Sequence, residues 1–152
     1  MDLHTLTESP FATDDDVRTL LTAFHDATLP RSAWNHRAHI TAALSFGRAL
    51  PTALALDAMR AGILRFNAAS GIENSPDAGY HETITRFYMH VVTLHVQCEP
   101  TPESTAADAN ALMERWGRAD LPFDYWSRAR LFSREARADW LPPDRKPLPG
   151  AK

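Results

Sequence analysis

Cysteine, lysine and the β-branched aliphatics are the scarce residues of this 152-residue chain. A single cysteine, Cys98, excludes an internal disulfide. Four valines and four isoleucines stand against 24 alanines. Strands favour β-branched residues and alanine is the best helix former, so a large sheet is excluded and an all-α fold is predicted. With only two lysines, Lys146 and Lys152, and a formal charge of −3, the chain offers no global field for a nucleic-acid backbone or an anionic membrane. No window approaches 18 apolar residues, which excludes a membrane span. The start Met1-Asp2-Leu3-His4 has neither the basic residues nor the apolar run of a secretory leader, so a cytoplasmic protein of bacterial type is expected. The glycine patterns of dinucleotide sites, phosphate loops and serine-hydrolase elbows are missing too.

What is present is enough apolar material for one domain. A 17.0 kDa chain with 44% hydrophobic residues buries roughly 68–70% of the surface its unfolded form exposes. Residues 1–12 read as a loose arm, 13–140 as a helical domain of about six helices, and 141–152 as an extended tail, because Pro142, Pro143, Pro147 and Pro149 disfavour helix. Thr13 before Asp14, Asp15 and Asp16 is a strong helix start. Ser32 or Asn35 can cap a second helix through His36 and His39. A third begins near Pro51 and stops near Gly71. The stretch from Gly71 to Gly79 is the clearest internal loop. Helix four is expected from about Tyr80 to Gln97, helix five after Thr101-Pro102, and helix six from about Phe123 to Trp140.

Seven histidines make the one compositional excess. His36 and His39 are three apart on a predicted helix, so both imidazoles project from one face and can grip one metal ion. Gly79-Tyr80-His81-Glu82-Thr83-Ile84-Thr85 places a third histidine in the first turn of helix four. Glu82 points about 100° from His81 on an ideal helix, which suits a general base on bound water, a partner orienting a histidine, or an acid at the helix N-terminus. His81-Glu82 begins like the His-Glu-x-x-His metalloprotease motif, but Thr85 stands where the second histidine belongs. A site would therefore borrow His36 and His39. Trp34, Tyr80 and Tyr88 would border such a site, and Arg86 could contact a substrate. The arginines Arg128, Arg130, Arg134 and Arg137, interleaved with Glu135 and Asp139, read as a solvated, internally paired helix face.

Three blocks together resemble a family of small bacterial proteins of uncharacterised activity: Trp34-Asn35-His36-Arg37-Ala38-His39, the Gly79 to Thr85 segment, and Ser133-Arg134-Glu135-Ala136-Arg137 leading to Pro143-Asp144. The resemblance implies one architecture for the three blocks and brings no reaction with it. Two functional expectations follow from the residues. In one, His36, His39 and His81 hold zinc or iron(II) in a metal-dependent hydrolase or non-haem iron enzyme acting on a small molecule, with Glu82 as catalytic base. In the other, a metal-free helical module binds a small ligand or a partner protein through a polar histidine pocket.

Overall fold

The computed structural model describes residues 2–150, and the described residues form an all-α bundle of seven helices with two short 3-10 turns. Residues 151 and 152 of the expected tail lie outside the described residues. Helix α1 runs over Asp14–His25, α2 over His36–Ala49, α3 over Thr52–Ala69, α4 over Glu82–Cys98 and α5 over Thr105–Trp116. Two helices of about one turn, α6 (Arg128–Leu131) and α7 (Arg134–Ala138), follow. None of the described helices is long and apolar enough to cross a membrane.

Local chemistry sets the helix starts. Thr13 and Asp16 form a reciprocal capping box at α1. Asn35 caps α2 through Ala38 N–H, and Ser104 caps α5 through Ala107 N–H. At α4 the cap is His81, one residue later than the expected start, because its ring accepts the Ile84 N–H. The single helix expected over 123–140 is instead a 3-10 turn (Leu121–Asp124), α6 and α7. Ser127 and Ser133 each cap a new helix and so interrupt the run.

Helices α2 and α4 pack at the centre, with α3 against both, α5 beside α2 and α1 closing the far side. The alanine content explains how closely they approach: Ala38, Ala42 and Ala43 on α2 are buried, and Val91 and Val92 of α4 are fully so. At Gly47 a Cβ would come within 2.4 Å of Val92 Cγ1. Gly47→Ala therefore gains helix propensity worth about 1 kcal/mol yet forces an over-packed crossing. A net loss of about 1–2 kcal/mol is expected in urea unfolding, and a net gain would show that the α2–α4 spacing is looser than described.

The segments before α1 and after α7 are held by side-chain and backbone hydrogen bonds among the described residues. The expected loose arm is anchored: Leu6, Thr7 and Phe11 are buried, Thr7 Oγ1 donates to Ala33 O, and Phe11 exchanges two hydrogen bonds with Asn110. Residues 141–150 carry no helix and are tied back to the bundle. Leu141 O accepts from the buried Trp126 indole, Asp144 accepts from Ser127, and Arg145 N–H donates to Tyr125 O.

Candidate functional site

The first turns of α2 and α4 lie side by side, and the loop 71–79 and the segment 119–132 flank them. His36 opens α2 and meets the Tyr88 ring edge-on at 5.0 Å. Its Nε2 is buried with no hydrogen-bond partner. One turn on, His39 lies against Trp34 with ring centroids 3.8 Å apart, and Trp34 in turn stacks on Phe24 at 4.7 Å. Burial keeps both imidazoles neutral. It lowers the His36 pKa below its ordinary value, and it drives His39 down to about 3, with the nearby His36 adding to the effect.

Three adjoining cavities open around this pair, and His39 and Ile84 line all of them. The innermost, about 50 Å³, lies among α2, α3 and α4 and includes His36, Met59 and Met89. A second, about 360 Å³, runs outward past His36 and Tyr88 to Phe123 and Phe132. The third, about 260 Å³, lies under the loop and is bordered by Trp34, Asn67, Ile72, Tyr80, His81 and Thr85. Among the described residues no Asp, Glu, Lys or Arg side chain lines any of the three.

His81 reaches the edge of this cleft but has its ring committed. Leu131 O can only accept, so Nε2 of His81 donates to it at 2.6 Å; the Ile84 N–H can only donate, so Nδ1 accepts it at 3.1 Å. These two bonds fix one neutral tautomer. Burial lowers its pKa, the Leu131 bond opposing and Arg137 reinforcing the shift. His81 thus ties α4 to the end of α6. The three histidines do not present a shared set of free nitrogens, and among the described residues no group of three or more His, Cys, Asp and Glu side chains is placed to hold a metal ion.

Glu82, 6% exposed, is turned into α3. Arg60 donates to both of its oxygens, at 2.9 and 2.7 Å, and Tyr80 Oη donates to Oε1 at 2.7 Å. Burial by itself would raise the Glu82 pKa, but the hydrogen bonds from Arg60 and Tyr80 hold it, on balance, below the ordinary range. A carboxylate so engaged is a poor base. Its work is to fix Tyr80, whose own hydroxyl is pushed up to about 12 chiefly by burial. Arg86 stands 3.9 Å from both Glu82 and Asp139 and lies over the Trp140 ring, outside the cleft. Tyr88 does line the cleft, and its hydroxyl points towards Arg118 O at 3.4 Å.

No protein-family model, curated protein or solved structure matches this chain. The chemistry of the cleft is therefore argued from its own side chains. Sequence reasoning missed several of them. Thr85 lines the inner cavity and the cavity under the loop; its one signal is its place in the motif-like segment, at the position of the motif's second histidine. Phe132, 49% exposed, stands at the outer mouth with Phe123, and nothing in its sequence neighbourhood distinguishes it from a core aromatic. The loop wall depends on Gly79, whose φ of +82° suits glycine and where a Cβ would fall 2.6 Å from both Glu73 O and Asn74 Oδ1.

Proposed function

We propose that this chain binds an uncharged, predominantly apolar small molecule in the cleft between α2 and α4, with His36 and His39 meeting the polar group of the ligand. The observation that carries the reading is a cleft with no charged side chain in its wall, lined by His36, whose buried Nε2 has no hydrogen-bond partner. Ligand pockets are typically apolar with a few placed polar groups and reach roughly 300–1,000 Å³, the range of the outer cavity. An unpaired buried acceptor or donor favours a ligand that completes it.

The test uses two naphthylamine probes that differ in charge. N-phenyl-1-naphthylamine is expected to bind with enhanced fluorescence, and its sulfonated anionic analogue at least 10-fold more weakly. Ile84→Trp, which fills the meeting point of the cavities, should abolish binding while circular dichroism stays helical. Equal or tighter binding of the anion, or undiminished binding to the tryptophan variant, rejects the reading.

A second reading keeps the divalent metal. The one-turn spacing of His36 and His39 favours coordination, and burial lowers both pKa values, that of His39 to about 3, so protons compete less for these nitrogens. Zinc or iron(II) would then serve hydrolysis or oxygen chemistry on the same small molecule, and a third protein ligand would require His81 to leave Leu131 and Ile84. Metal analysis of tag-free protein, with zinc and iron(II) titrations, tests it. Less than about a tenth of an equivalent bound, with no affinity on addition, rejects it.

A further inference from the structure

The innermost cavity, about 50 Å³, is too small for an organic ligand of the size that fills the usual pocket of about 300–1,000 Å³. It is ample for an ion. Four neutral donor side chains from three helices line it: His36 and His39 of α2, Met59 of α3 and Met89 of α4. Most of the remaining wall is aliphatic. Both methionines are buried, and the His36 Nε2 is shut from solvent without a partner.

The donor set decides which ion. Among the described residues no carboxylate or thiolate lines the cavity, so a divalent ion would keep both charges uncompensated in an apolar surround. The solvation cost of an ion grows with the square of its charge, so a monovalent ion faces only about a quarter of that penalty. Thioether sulfur is a soft ligand, poorly matched to zinc or iron(II) and well matched to copper(I), and imidazole serves copper equally. The outer cavity shares His36, His39, Ile84 and Tyr88 with the inner one and supplies a route of entry.

We propose that the cavity lined by His36, His39, Met59 and Met89 is a binding site for copper(I). The site shares His36 and His39 with the cleft proposed for the organic ligand, but Met59 and Met89 line only the innermost cavity, so tests at the methionines let either assignment fail without the other.

The test is an anaerobic titration of tag-free protein in a Cys98→Ser background, because the exposed Cys98 thiol would itself take copper(I). The protein is expected to withdraw one equivalent of copper(I) from its coloured bicinchoninate complex, and a 10-fold excess of zinc should leave that copper in place. Met59→Leu with Met89→Leu, a pair of near-isosteric changes that cores tolerate, should weaken binding at least 10-fold. Naphthylamine binding by the same double variant, expected to be unchanged, reports the outer cleft independently. No withdrawal of copper, displacement by zinc, or unaltered affinity in the double variant overturns the proposal. Should the double variant not fold, X-ray absorption of the copper-loaded parent protein decides: sulfur in the first shell supports the site, and a shell of nitrogen or oxygen alone overturns it.

Discussion

Replacing Arg60 by methionine is expected to cost the fold about 3–5 kcal/mol, the usual price of stranding one half of a buried ion pair. Glu82 is almost fully buried, and Arg60 contacts both carboxylate oxygens. Without that guanidinium the carboxylate keeps one hydrogen bond from Tyr80, and Arg86 at 3.9 Å is the nearest cation that could move in. Adding Glu82→Met should recover much of the loss, since two apolar residues of similar volume leave no buried charge. The pH dependence separates this from lost packing. In the parent protein the Glu82 pKa lies below its unfolded value, so the stability it contributes is present above about pH 4.3 and is lost as pH falls through the lower folded value. In the Arg60→Met variant burial raises the carboxyl instead. Its deficit relative to the parent should shrink as pH falls towards 4. A deficit below about 1 kcal/mol, or one independent of pH, would contradict a buried pair that carries the α3–α4 contact.

The same pair shows where sequence could and could not reach. Helix geometry placed Glu82 about 100° from His81 and so away from a shared ion. It could not name Arg60, because that partner lies 22 residues upstream on another helix. The start of α1 was legible because a capping box is closed within four residues. The fate of the His81 ring was not, because it depends on a carbonyl 50 residues away. The late arginines make the point from the other side. Their interleaving with Glu135 and Asp139 suggested local pairing, yet Arg134 pairs with Asp77, Arg137 donates to Gly79 O, and Arg130 donates to Pro142 O. They fasten the cleft loop and the tail to the bundle. Arg128 lies over the Phe123 and Phe132 rings at the cleft mouth. Local periodicity reveals elements and caps, whereas a site assembled from five separate segments is fixed by long-range packing that no window contains.

Acid should weaken the metal-free protein from about pH 6.5 downward, well before the carboxylates titrate, and His39 should be a main cause. In the unfolded chain His39 takes up a proton near pH 6.5, whereas in the fold burial and the neighbouring His36 hold its pKa at about 3. Between these values the unfolded state binds a proton that the folded state refuses. Stability is therefore full above pH 6.5 and declines as pH falls towards 3. A shift of this size corresponds to about 3–5 kcal/mol over the whole window and about 2–3 kcal/mol by pH 4, enough to consume a large part of the stability of an ordinary domain. His39→Gln keeps a polar side chain that does not titrate. It should be less stable than the parent at pH 8, through lost stacking on Trp34, and should gain on it steadily below pH 6.5, so that the urea-unfolding curves of the two proteins converge or cross near pH 4. His36 and His81, both shifted the same way by burial, remain in the variant and leave it a smaller acid sensitivity of its own. Parallel stability profiles from pH 8 to pH 4 would mean that His39 is as hydrated in the fold as in the unfolded chain, and the neutral, water-poor cleft on which the ligand reading depends would fall with it.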